Sequence, residues 1–167
     1  IHPTQEGISN FWKWFGDSKV VDEQGRPKVV YHGTSADFTT FEQSDNGVYG
    51  KGVYLSEFSG DAQVHGTKLM ELYVRIANPR VTSRVEAKKI ITQSGGTSKW
   101  NKSLREEGYD GIYAEDVGFY IPFSSGQIKS AIGNNGDYSK ANNDIRFSRA
   151  PDETTYQKSQ RTVQDKF

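Results

Sequence analysis

The sequence predicts an α+β domain, and three observations carry that expectation. Short, strand-like apolar runs recur along most of the chain. The clearest helical stretches fall in its middle. No internal repeat is present, so a stacked or propeller array is excluded.

Composition sets the scale. A chain of 167 residues is long enough for one domain with a core. Only 34% of residues are hydrophobic and the mean hydropathy is −0.76, so the core is modest and the loops are long. Aromatics reach 13% and must carry much of the burial. The net charge of +0 excludes a global field for nucleic acid or an anionic membrane. A local patch of Lys88, Lys89, Lys99, Lys102 and Arg105 can still bind a nucleic acid, or can be a solvated helical surface. There is no cysteine, hence no disulfide or thiolate chemistry. No stretch is long and apolar enough to span a membrane, and no signal peptide is visible. The chain begins at Ile1 and is expected to be part of a longer polypeptide.

In chain order, Ser9 is expected to cap a short helix that Gly16 stops. Phe11, Trp12 and Phe15 are expected on its buried face, with Trp14 turned away as a contact residue. Residues 20–21 and 28–31 read as strands joined by a hairpin loop at 22–27, where Gly25 is available for a positive φ. Residues 37–52 read as a mobile loop with Phe38 and Phe41 as anchors and a turn at Asn46 and Gly47. A short helix is expected over 59–64. Residues 68–76 alternate as a half-buried strand, with Met70, Leu72, Val74 and Ile76 on one face, and Asn78-Pro79 ends it. Ser83 and Glu86 have the spacing of a capping box for a helix to about Thr92, broken by Gly95-Gly96. Trp100 and Leu104 mark another helix that ends at Gly108. Strands are expected over 110–113, 119–123, 127–132 and 145–147, with a turn at 134–136. Residues 1–149 are read as the domain. Residues 150–167 are polar and nonperiodic, and read as a tail or linker.

The stretch 29–56 carries the chemistry. His32 follows three strand-forming residues and precedes Gly33, which places an imidazole at a strand exit beside backbone open to a ligand. Tyr54 lies in a second apolar run behind Gly50 and Gly52. A hydrogen-bonding histidine, open backbone and an aromatic wall suit a flat polar ring better than an ion. A metal site is not expected: the histidines are His2, His32 and His65, without a His-x-x-x-His pair or an Asp-rich loop. Neither a Gly-x-Ser-x-Gly elbow nor a Walker A loop is present.

Six motifs in one order carry a resemblance. They are Tyr31-His-Gly-Thr34, Phe38-x-x-Phe41, Gly50-x-Gly-x-Tyr-Leu-Ser56, Tyr109-Asp-Gly-Ile112, Gln127-Ile-Lys-Ser-Ala131 and Asp144-Ile-Arg-Phe-Ser148. Together they resemble the ADP-ribosyltransferase-like domain of phage polyvalent proteins and related toxins. That domain is similar to the His-Tyr-Glu group, which includes diphtheria toxin and the poly(ADP-ribose) polymerases. The resemblance implies two small β-sheets packed around an NAD cleft. It implies that His32 hydrogen-bonds a ribose hydroxyl of NAD and that Gly33 pairs its backbone with the carboxamide. Thr34 and Ser56 would lie nearby, Tyr54 would stack on the nicotinamide ring, and His65 would replace a second stacking tyrosine.

The group's third catalytic residue is a Glu at the start of a strand. Counting back from Gln127 puts Phe119 at that position. Glu115 or Asp116 can supply the carboxylate if the preceding loop is shifted, Gln127 can supply a neutral amide, or the site is degenerate. The resemblance therefore implies a toxin-like mono-ADP-ribosyltransferase that moves ADP-ribose from NAD to a protein or nucleic-acid acceptor. The alternatives are an NAD glycohydrolase and a module that holds NAD or ADP-ribose without turnover. By the same resemblance the place of action is the cytoplasm of a host or target cell, reached through a phage or a secretion system.

Overall fold

The computed structural model describes residues 1–44, 47–139 and 141–146. The first element is helix α1, Gln5–Phe15. Its cap is Thr4 rather than Ser9: the Thr4 side chain accepts a bond from the Gly7 amide. Phe11, Trp14 and Phe15 are buried, whereas Trp12 is 48% exposed. The expected roles of the two tryptophans are thus exchanged. At about 100° per residue, Gly7, Phe11, Trp14 and Phe15 form one stripe, and Trp12 lies at its margin. Trp14 Nε1 donates to the Gly126 carbonyl at 3.2 Å, which fixes the ring inside.

A tight hairpin follows, held by Asp22, whose carboxylate accepts from the amides of Gln24 and Arg26. The expected strand at 20–21 is reduced to a Val21–Pro27 bridge, and the one expected at 28–31 begins at Val30. Strand β1, Val30–Thr34, pairs along its whole length with β3, Lys68–Val74. Between them lie the two-residue strand β2, Leu55–Ser56, and the short helix α2, Ser59–Gln63. The alternation of β3 holds: Leu72 and Val74 are buried on one face, and Tyr73 on the other packs edge-on against Phe11.

Strand β4, Pro79–Thr82, was not foreseen. Asn78-Pro79 ends one strand and Pro79 opens another at the sheet edge, where a missing N–H costs little. Helix α3, Arg84–Ser94, starts at Ser83, whose hydroxyl accepts from the Glu86 amide, and ends at Gly95. The Glu86 carboxylate does not return to close a capping box; it binds Arg80 and Thr82. Helix α4, Thr97–Glu106, buries Trp100 and Leu104 and leads to β5, Gly111–Ala114, parallel to β4. Strand β6, Phe119–Pro122, returns antiparallel to β5. Strand β7, Ile128–Ser130, closes the described strands.

The seven strands form one sheet in the order β4-β5-β6-β2-β1-β3-β7. The expectation of two sheets is corrected here. Two three-stranded groups exist, but β2 joins them, pairing Tyr31 with Ser56 on one side and Tyr120 and Phe119 with Leu55 and Ser56 on the other. One core packs Val30, Leu55, Leu72, Val74 and Tyr120, and a second packs Ile112, Ala114 and Ile121 under Ala87, Trp100 and Leu104. The expected strand at 145–147 is not formed over its described part: Ile145 instead bonds Thr39 and Ser130 through its backbone, beside a Thr40–Asp144 bridge. Asn46, Phe147, Ser148, the boundary at 149 and the tail 150–167 lie outside the described residues. Among the described residues, no helix is long and apolar enough to cross a membrane.

Candidate functional site

A cleft of about 750 Å³ opens where β1, β2 and the start of β6 meet α2 and residues 38–44 and 47–53. That volume is in the range of small-molecule sites. His32, Gly33, Tyr54, Ser56 and His65 all line it. The fold therefore gathers five of the residues singled out from the sequence around one cavity.

His32 is half-buried on β1. Its Nδ1 lies 3.0 Å from the Tyr54 carbonyl. A carbonyl only accepts, so Nδ1 carries the proton and Nε2 is left as an acceptor, with no described partner. Burial holds the imidazole below its ordinary value of 6.5; the Tyr54 bond opposes this and the nearby His65 adds to it. The ring is neutral at pH 7. Phe41 stands edge-on to it at 5.0 Å and Phe38 at 6.2 Å, so two rings fix its orientation. A neutral, fixed Nε2 is suited to receive a hydroxyl hydrogen.

Gly33 is required by close packing. A Cβ there would stand 1.6 Å from the Ala62 carbonyl oxygen, so α2 sits directly against β1. Among the described residues, β1 has no strand partner on its β2 side beyond the Tyr31–Ser56 pair. Ser56 is buried, and its hydroxyl accepts from the Phe58 amide ahead of α2.

Tyr54 has a role that stacking alone does not describe. Its hydroxyl accepts from the Tyr49 amide at 3.0 Å and donates to the Gly50 carbonyl at 2.9 Å. Burial pushes its pKa up to about 12, so the phenol stays protonated. Asn101 on α4 grips the same loop through the Tyr49 carbonyl and the Lys51 amide. Gly50, at φ +92°, lets this happen, since a Cβ there would meet Asn101 Oδ1 at 2.0 Å. The described part of the loop expected to be mobile is thus tied at several points, including a Ser44–Gly52 bridge.

The remaining sequence candidates lie elsewhere. Thr34 does not line the cleft; its hydroxyl accepts from the Ala36 amide. Glu115 and Asp116 are exposed on the β5–β6 turn and do not line it either. The Asp116 carboxylate accepts from the Arg84 amide. Gln127 is committed to the backbone. Its Oε1 accepts from Ser124 at 2.8 Å, and its Nε2 donates to Arg75 and Asp110 carbonyls at 2.7 and 2.9 Å. Phe119 does line the wall, 6.4 Å from the Tyr54 ring.

Three polar lining residues escaped sequence reasoning: Glu42, Arg84 and Tyr49. In the segment around Glu42, Thr40, Phe41 and Ser44 line the cleft as well, and Gln43 does not. Glu42 is held in place from both sides: Ser125 donates to the Phe41 carbonyl, and Gln43 donates to the Phe123 carbonyl. Among the described lining residues Glu42 is the sole carboxylate and Arg84 the sole guanidinium, and neither charge has a described partner. The third is Tyr49, whose hydroxyl is buried without a partner among the described residues. The place of Glu42 directly after the Phe38-x-x-Phe41 motif was the available signal for it. Nothing local marked Arg84 or Tyr49.

No curated protein matches the chain. One solved structure, described as the crystal structure of an anti-CRISPR protein, is 13% identical, with 56% of this chain and 88% of that chain covered and a TM-score of 0.35. At that score it bears on neither fold nor function. The sequence profile of the family described as ADP-ribosyltransferase in polyvalent proteins matches residues 22–138. That span contains β1 with His32, the Tyr54 loop, Arg84 and the β6 start, which is every residue named on the cleft wall. The chain belongs to the ADP-ribosyltransferase family of polyvalent proteins.

Proposed function

We propose that the protein binds NAD in this cleft and transfers ADP-ribose to a macromolecular acceptor. The observation that carries the reading is the pairing of His32 with the Tyr54 backbone inside the family's matched span. His32 Nε2 accepts a ribose hydroxyl, the Tyr54 ring covers the nicotinamide, and the β1 edge at Gly33 offers backbone to the carboxamide. The C1′–N bond breaks with both electrons going to the ring nitrogen, which leaves neutral nicotinamide and a cationic ribose. A hydroxyl, amine or carboxylate of the acceptor then donates a lone pair to C1′, and a nucleophile that carries a proton releases it. Positive charge on the ribose calls for a nearby anion. With Phe119 at the strand start and Glu115 and Asp116 off the wall, Glu42 is the carboxylate we assign to that task. As in related toxins, the natural setting we propose is the cytoplasm of a host or target cell.

The test is release of labelled nicotinamide and appearance of label on an acceptor. Glu42→Gln is expected to lower kcat about a hundredfold with little change in NAD affinity, because the interaction strengthens only as charge develops. Wild-type rates in that variant would remove Glu42 from the reaction. Release without labelled acceptor makes the protein a glycohydrolase. A second reading is favoured by Phe119 on the wall: a module that holds NAD without turnover. Binding with no nicotinamide release in the wild type selects it.

A further inference from the structure

The same cleft holds a second feature. Tyr49 is 2% exposed, and its hydroxyl, although buried, has no described hydrogen-bond partner. A buried, unpaired hydroxyl is costly and rare in a native fold, and calls for an explanation. Arg84 lines the same cleft; its side chain is exposed, and its guanidinium has no described partner either. The two are neighbours in charge: burial, then the Asp116 carboxylate, push the Tyr49 phenol up, and Arg84 opposes them. Arg84 is also the first residue of the eleven-residue helix α3. A cation there faces the positive end of the helix dipole, which disfavours it. Two locally unfavourable choices, an unpaired hydroxyl and a cation at a helix start, meet on one wall of one cleft. Both are relieved by the same thing, an anionic oxygen.

We propose that Arg84 and Tyr49 form a phosphate subsite that holds the diphosphate of a dinucleotide whose other end lies at His32. Tyr49 donates its hydroxyl hydrogen to a phosphate oxygen and Arg84 donates guanidinium N–H groups. The inference rests on the NAD reading for its dinucleotide; the anion chemistry stands on these two residues. Asp116 limits the subsite. Its carboxylate takes the Arg84 amide, and its charge opposes a phosphate.

Calorimetry with the full chain tests this with three probes: NAD, nicotinamide riboside, which lacks the diphosphate, and inorganic pyrophosphate. Arg84→Ala is expected to weaken NAD and pyrophosphate about ten- to a hundredfold, in line with loss of charge-assisted hydrogen bonds, and to leave nicotinamide riboside unchanged. Tyr49→Phe is expected to weaken NAD several-fold while its melting temperature stays equal or rises, since it deletes an unsatisfied buried group. Asp116→Asn is expected to tighten pyrophosphate. Unchanged NAD affinity in Arg84→Ala or Tyr49→Phe overturns the subsite, as does an equal loss for NAD and nicotinamide riboside. If wild type binds pyrophosphate in an Arg84-dependent way but neither NAD nor nicotinamide riboside, the NAD reading fails and the anion site stands. If it binds none of the three, both fail.

Discussion

Two polar clusters, one half-buried and one opening on the cleft, flank the short strand β2, and they are finished differently. Beyond its end, the Glu57 carboxylate accepts from the Tyr113 and Tyr120 hydroxyls, each at 2.9 Å, and from Lys28 at 3.3 Å. The two tyrosines are cross-strand partners on β5 and β6 and stack at 4.5 Å. That cluster is closed on itself, as a structural network should be. The cleft holds the opposite: His32 Nε2, the Tyr49 hydroxyl and the exposed Glu42 and Arg84 all belong to its lining and have no described partner. Successive residues of β6 point to opposite faces, so Tyr120 serves the first cluster and Phe119 the second. Completed polar groups hold this fold together, and uncompleted ones mark where it meets something else.

Substitutions separate the two. The largest effect is expected at Gly33, where fold and cleft coincide. Gly33→Ala drives a methyl into the Ala62 carbonyl and should cost about 3 kcal/mol or more, read by denaturant melting. A melt unchanged from wild type would mean that α2 does not pack on β1 as described.

Glu57→Ala comes next. It strands two hydroxyls and a lysine, and should cost roughly 2 kcal/mol of stability while NAD affinity holds within about twofold. Burial alone would raise the Glu57 carboxyl, but the bonds from Tyr120, Tyr113 and Lys28 outweigh it and hold it below 4.5. The unfolded chain therefore binds the proton first. The contribution is present above the ordinary carboxylate pKa and is lost as pH falls through the lowered one. A parallel loss of NAD affinity in Glu57→Ala would join the two clusters into one site.

His32→Ala should behave in reverse. NAD affinity is expected to fall about tenfold, on the order of 1 kcal/mol, with a smaller effect on the melt. Protonating Nε2 turns an acceptor into a donor. Wild-type affinity should therefore weaken as pH falls through the lowered His32 pKa, and stay flat from pH 7 upward. Calorimetry across pH checks this, and a profile identical in His32→Ala would assign the titration to another group.

The smallest expected effect belongs to Tyr54→Phe. It keeps the ring and loses two bonds to the 49–50 backbone, so hydrogen exchange at Tyr49 should speed up, at a cost of about 1 kcal/mol. Tyr54→Ala should lower NAD affinity further, because it also removes the ring. Equal NAD affinities for Phe and Ala would leave no role for the aromatic face.

Local physics was legible in the sequence. A turn built on Asp22, a cap at Ser83, the breaks at Gly16 and Gly95, and the alternation of β3 each depend on residues within a few positions of one another. His32 at the end of an apolar run before a glycine, and Tyr54 beyond a glycine loop, were legible for the same reason. What long-range packing decides was not. Whether Trp12 or Trp14 is buried depends on the Gly126 carbonyl, 112 residues away from Trp14. Two groups of strands became one sheet because two residues, Leu55 and Ser56, found partners on both sides. Gln127 had the chemistry of a site residue, but three backbone groups use it up, two of them from distant segments, Arg75 and Asp110. Glu42, Tyr49 and Arg84 reach the cleft from a loop edge, a glycine turn and a helix start. A charge acquires a role from what surrounds it, and only the tertiary structure sets these three around one cavity.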